Sequence, residues 1–229
     1  MCAVIGAIIS NPSLKDFQNL KRVFHESKIR GMHATGLAYI KDGKVHIDKK
    51  PVPAHQFSYD FPSYVNEDGN LYLIGHCRYS TSDLEYNQPI ANNVMSVVHN
   101  GVITQELPEN WERLYGYKCT TKNDTELLLH TVEAGKSPLK EWADESLAVC
   151  ELHKDKKVRV YRNGKRPLYL TSMTNGCIIT STADIPKRAG LFLPTMEIPM
   201  NVYTTFDEHA TMLVQVEHIE GSKDLQHYE

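Results

Sequence analysis

Apolar positions along the chain recur at two distinct spacings, and the switches between them mark its elements. Ala3 to Ile9 is a continuous apolar run with β-branched residues, read as a buried strand. Asn11-Pro12-Ser13 stops it; Ser13 can cap a helix with Asp16 in its first turn. Leu14, Phe17, Leu20, Val23 and Phe24 then recur at helical spacing, predicting a helix to about Ser27. Leu37 to Lys41 and Lys44 to Asp48 read as a hairpin around Asp42-Gly43, and residues 51–70 as an irregular excursion. Leu71 to His76 and Met95 to His99 read as further strands. A second helix is predicted after Asn123. Asn123 would cap it, Glu126 would complete a reciprocal capping pair, and Leu127, Leu128, Leu129 and Val132 would form its apolar face.

From Leu147 onward the pattern is β-rich: 147–152, 158–162, 168–173, 177–181, 202–206 and 212–216, with turns at Arg162-Asn163-Gly164-Lys165 and Thr174-Asn175-Gly176. No internal repeat, low-complexity tract or linker interrupts the series. Many strands with a few helices gathered between them predict one α+β domain of packed layers over residues 1–229.

Composition narrows the function classes. A formal net charge of −3, with no long run of either sign, argues against nucleic acid or an anionic membrane as partner. Lys154-Asp155-Lys156-Lys157 reads as a solvated turn. The 5 cysteines are odd in number and widely spaced, which argues against a disulfide framework and a zinc site; the histidines show no metal-binding spacing either. Neither a secretory segment nor an apolar run of membrane-spanning length is visible, so a cytoplasmic, reducing location is expected, with no metal and no cofactor.

Candidate chemistry begins at the second residue. Initiator methionine is normally trimmed before a small side chain, which would put the thiol and a free α-amine of Cys2 on one carbon. With reference pKa values of about 8.5 for a thiol and 7.7–8.0 for an α-amine, such an amine can take the thiol proton near neutral pH. The plainer alternative is a small buried apolar residue opening a strand. Four polar segments at strand ends or loops accompany it: Arg30-Gly31 through Gly36, Gly75-His76-Cys77-Arg78-Tyr79-Ser80-Thr81, His99-Asn100-Gly101 and Asn123-Asp124-Thr125-Glu126. Alone, Arg78 would be half of a surface ion pair, Asn100-Gly101 a hairpin turn and Asp124 an acid at a helix start. Their joint, ordered appearance behind Cys2 is what those separate readings leave unexplained.

The ordered set resembles the class II glutamine amidotransferase domain of the N-terminal nucleophile hydrolase superfamily, over residues 2 to about 185. The resemblance implies a four-layer αββα sandwich of two antiparallel sheets between helices. It implies Cys2 as nucleophile and Asn100 and Gly101 as oxyanion donors. Arg78 would grip the substrate carboxylate and Asp124 its ammonium, with Thr81 and Gln88 as secondary contacts. Arg30 and Gly31 would shape the loop that closes over glutamine. Asn87-Gln88-Pro89 and Arg166-Pro167-Leu168 resemble further family segments. Two positions depart: Ala3 stands where the family usually has Gly, and His33 where related synthases commonly have Asp. Only about thirty residues follow Met200, so no synthase domain is expected here. The implied activity is hydrolysis of L-glutamine to glutamate and ammonia through a Cys2 thioester, with ammonia passed to a separate synthase. A stand-alone γ-glutamyl amide or peptide hydrolase and a non-catalytic interaction fold are the alternatives.

Overall fold

The structure, a computed structural model, describes residues 1–80, 84–207 and 212–216. Among them, two antiparallel sheets stack face to face. The first contains β1 (Ala3–Ser10), β2 (Ala34–Lys41), β3 (Lys44–Lys50), β4 (Asn70–Arg78), β9 (Tyr169–Met173), β10 (Gly176–Thr180) and β11 (Thr195–Glu197), in the order β11-β9-β10-β1-β4-β2-β3. The second contains β5 (Ile90–Ala91), β6 (Met95–His99), β7 (Ala148–His153), β8 (Lys157–Arg162), β12 (Val202–Phe206) and β13 (Met212–Val216), in the order β13-β12-β8-β7-β6-β5. Helices α1 (Leu14–Ser27), α2 (Phe61–Tyr64) and α6 (Asp184–Arg188) contribute to the outer side of the first sheet. The second sheet is covered by α3 (Trp111–Tyr115), α4 (Thr125–Glu133) and α5 (Pro138–Glu141).

Strand periodicity explains the layering. Along β1, Ala3, Ile5, Ala7 and Ile9 pack outward with Leu20, Val23 and Phe24 of α1, while Val4 and Ile8 face the other sheet. Along the second sheet, Val98, Cys150 and Val160 meet that inner layer, and Val97, Val149 and Tyr161 pack against Trp111, Leu127 and Leu139. Three apolar layers therefore separate four layers of structure, the architecture implied by the resemblance. A strand covered on both faces reads as an uninterrupted apolar run, which is why β1 does not alternate. The described helices include none long and apolar enough to cross a membrane.

Local chemistry matches the pattern in several places. Ser13 Oγ accepts from Asp16 N, and Asp16 returns a bond to Ser13 N, so α1 begins with a reciprocal cap. Asp42 (φ 53°) and Gly43 (φ 65°) are both left-handed, as a two-residue hairpin between β2 and β3 requires. Two expectations need correction. Leu14 is 76% exposed and takes no part in the α1 core, because at the first helical position it precedes the buried stripe. The reciprocal cap predicted for α4 does not form: Asn123 Oδ1 does accept from Thr125 N, but Glu126 turns away to bind Thr120 and Thr121.

Candidate active site

The register of the first sheet sets Cys2. Ala3 lies opposite Cys77 on β4, and Ala34 of β2 lies opposite Arg78, so the start of β1 meets the end of β4. Three bonds hold Cys2 there. Its carbonyl accepts from Arg30 Nε at 2.9 Å, its N–H donates to Asn100 Oδ1 at 3.2 Å, and its thiol reaches Tyr79 O at 3.8 Å. Gly31 lets the Arg30 turn lie on the strand end: a Cβ there would sit 2.4 Å from the Arg78 carbonyl carbon and 2.5 Å from Cys77 O. His33 fastens the same two segments. Its N–H donates to Arg78 O at 3.0 Å, its Nδ1 accepts from Ser80 N at 2.9 Å, and its ring packs on Tyr79.

The second sheet supplies the other wall. His99-Asn100-Gly101 does not form a hairpin turn: Asn100 N donates to Ala148 O at 2.9 Å, prolonging the pairing of β6 with β7. Gly101 has φ +150°, and a Cβ on it would lie 1.9 Å from Ser146 O, so no side chain fits. His99 lies 2.8 Å from Ser146 O through Nε2. A carbonyl can only accept, so Nε2 carries the proton. Burial lowers the pKa of His99 against the pull of Asp124, and burial beside His99 pushes His76 down to about 3. Asn100 is 3% exposed; its Oδ1 is engaged by Cys2 N, and its Nδ2 is buried with no hydrogen-bond partner among the described residues.

A pocket of about 300 Å³ opens between β4, the segment before β5 and the start of α4, lined by Arg78, Tyr86, Gln88, Thr104, Asn123 and Asp124 among others. Arg78 is oriented by Tyr86 O (3.1 Å) and Asn87 Oδ1 (2.7 Å). Asp124 Oδ2 accepts from the backbone N–H groups of Ile103 (2.7 Å) and Thr104 (3.3 Å), which fixes the carboxylate in the wall. Arg78 and Asp124 thus share one pocket with Lys122 and Glu106, and this mix of cations and anions can complement a zwitterionic α-amino acid. Gln88 lines the pocket but is committed to the frame, its Oε1 accepting from His99 N at 2.6 Å. The surrounding segment rests on β2 and β3: Lys49 Nζ donates to Asn87 O and Pro89 O, and Gly36 leaves room for Gln88 O.

Of the residues singled out from sequence, Arg78, Gln88 and Asp124 line the pocket. Cys2, Asn100, Arg30 and Gly31 form a connected group joined to it through the Arg78–Tyr79 backbone and through His99; Gly101 closes that group against Ser146. Thr81 lies outside the described residues. Sequence reasoning missed Asn87 and Tyr86 as the anchors of Arg78, Ser146 as the partner of His99, and the bond from Ser80 to His33. Asn87, Ser80 and His33 stood in segments already noted, although their bonds were not read; Tyr86 and Ser146 carry no signal in one sequence.

Comparison with known proteins bears on the fold and on the family. The chain superposes on the glutamine phosphoribosylpyrophosphate amidotransferase of B. subtilis, in its complex with ADP and GMP, with a TM-score of 0.68, 20% identity and 94% of the chain covered. A second solved structure, the allosteric regulatory enzyme of purine biosynthesis, gives a TM-score of 0.66, also at 20% identity and 94% coverage. The chain spans 49% of the length of each. At this identity the likeness shows the fold alone. No curated protein matches the sequence. A family profile described as a glutamine amidotransferase domain matches residues 60–211, which include Arg78, Asn100 and Asp124 but not Cys2 or Arg30. That match covers more than half of the chain, and the chain belongs to the family of glutamine amidotransferase domains.

Proposed function

We propose that the chain is a glutaminase subunit. It would hydrolyse L-glutamine through a thioester on Cys2 once Met1 is removed, and pass the ammonia to a synthase partner. One observation supports this reading above the others: Asn100 bonds Cys2 N through Oδ1 while holding Nδ2 buried and unpartnered beside it. A buried donor left without an acceptor costs about 1–3 kcal/mol, so a site that keeps one has a use for it. Met1 is 70% exposed and open to removal.

The chemistry then balances. With Met1 gone, Cys2 N is an amine, oriented by Asn100 Oδ1, and its lone pair takes the thiol proton. Sulfur attacks the side-chain carbonyl carbon of glutamine. Arg78 holds the substrate carboxylate and Asp124 its ammonium. Charge on the carbonyl oxygen meets Asn100 Nδ2–H and Gly101 N–H. The ammonium of Cys2 returns its proton to the leaving nitrogen, and ammonia departs. Water, deprotonated by the same amine, attacks the thioester; glutamate leaves and the thiol is restored.

The test uses protein whose intact mass shows Met1 removed. It should release glutamate and ammonia in equal amounts from glutamine, and the Cys2→Ala variant should release neither. No glutamate under any condition, including with candidate synthases present, overturns the proposal. Faster turnover of a γ-glutamyl peptide than of glutamine, without a partner, would reassign the substrate while keeping the nucleophile.

A further inference from the structure

Among the described residues, one cluster of metal-ligating side chains away from Cys2 serves no step of the chemistry above. Cys119 Sγ, a Glu126 carboxylate oxygen and a His130 ring nitrogen lie within 4.8 Å of one another. We propose that these three residues form a site for a divalent transition metal of the zinc class, with water as fourth ligand.

Three features support it. The donors are thiolate, imidazole and carboxylate, the set that suits Zn²⁺ rather than Mg²⁺ or Ca²⁺. Glu126 and His130 stand four residues apart on α4 with His130 Nε2 3.3 Å from Glu126 Oε1, a spacing at which two ligands can meet one ion. Their neighbours already fix them. Glu126 accepts from the N–H and hydroxyl of both Thr120 and Thr121, and the His130 ring stacks on Tyr117 at 6.0 Å and 18°. Hydrogen-bonded outer partners such as the two threonines orient a carboxylate ligand for a metal. A hollow of about 310 Å³, lined by Gly116, Tyr117, Lys118, His130, Glu133 and Ala134, borders the cluster on its His130 side.

Binding balances in charge and protons. The Cys119 thiol gives its proton to solvent as the sulfur–metal bond forms. His130 binds through the Nε2 lone pair and keeps its proton on Nδ1. One thiolate, one carboxylate and a dication sum to zero, which suits a half-buried position. No ligand spacing shows along the chain because Cys119 lies in the loop before α4 while the other two ride on the helix. The ion would clamp that loop to α4, two residues from Asp124 in the glutamine pocket.

The test is made in the Cys2→Ser protein, since an N-terminal thiol and amine would chelate metal on their own. Cys77, Cys150 and Cys177 are buried, so a thiolate ligand in this protein can come only from Cys119. Titration with Co²⁺ should give a near-ultraviolet thiolate-to-cobalt band and the visible absorption of a four-coordinate ion, saturating at about one equivalent and displaced by Zn²⁺. Cys119→Ser should abolish the near-ultraviolet band, and His130→Gln should weaken binding by about 10-fold or more, with circular dichroism confirming that both variants fold. Absence of the thiolate band in the Cys2→Ser protein itself overturns the proposal whatever the variants do, as does a band undiminished in folded Cys119→Ser. Glutaminase activity is not read, so failure here leaves the reading of Cys2 untouched, and the reverse.

Discussion

Replacing Asn100 with alanine should separate catalysis from stability. The substitution removes the bond from Cys2 N, worth about 0.5–1.5 kcal/mol, and leaves a small void costing under about 1 kcal/mol. It also removes the buried, unpartnered Nδ2, relieving about 1–3 kcal/mol of desolvation. At mid-range values these contributions nearly cancel, leaving a net change in the folded state of about 1 kcal/mol or less. For a chain of this size that is a Tm shift within about 4 °C. Catalysis has no such compensation: losing one oxyanion donor costs about 2.7–4 kcal/mol of transition-state stabilisation, or roughly 10²–10³ in kcat. The assay is glutamate release under saturating glutamine, alongside thermal unfolding of the same preparation. A kcat drop below about 5-fold in folded protein would refute the oxyanion role. A Tm loss beyond about 10 °C would show that Asn100 is structural.

Other substitutions test the frame around the site. Gly31→Ala should force the Arg30 turn off the end of β4, because all three nearest atoms are backbone; overpacking of about 1–3 kcal/mol lowers Tm by about 2–12 °C, with a loss of activity as Arg30 leaves Cys2 O. Gly101→Ala should be worse, with its Cβ 1.9 Å from Ser146 O at φ +150°, and is expected to yield little folded protein by circular dichroism. Arg159→Ala leaves the fully buried Glu151 without its two-bond partner, costing about 3–5 kcal/mol and about 6–20 °C in Tm. Burial raises the pKa of Glu151, but Arg159 and His153 outweigh it and hold the carboxyl below its ordinary value. Its folded pKa lies below its unfolded one, so its contribution is present above the unfolded pKa and is lost as pH falls through the folded one. Denaturant melts from pH 7 to pH 3 should therefore show a loss in the parent that is smaller in Arg159→Ala.

Most strands were legible because they lie in a sandwich whose faces are buried on a regular period; β6 and β12 run over the residues that the apolar pattern marked. The start of α1 was legible because its cap is local, Ser13 to Asp16. The start of α4 was misread because Glu126 has a choice of donors, and the two threonines offer four bonds where Asn123 N would offer one. Short elements such as α2, α5 and β11 escaped because three or four residues carry no period; contacts made from afar hold them, as Tyr64 is held against Tyr39 of β2. At the site, residue types were readable but their divisions of labour were not. Gln88 spends its carbonyl on His99, and Arg78 is aimed by Asn87, because bonds across long stretches of chain decide such roles.

The central claim, that the sulfur of Cys2 attacks the glutamine side chain beside its own free amine, is tested most directly by intact-mass analysis after treatment with a diazo-ketone analogue of glutamine. The account predicts one adduct per chain on protein lacking Met1, mapped by peptide sequencing to Cys2 and prevented by excess glutamine. Full glutaminase activity in protein that retains Met1, or an inactivating adduct on any other residue, would contradict it.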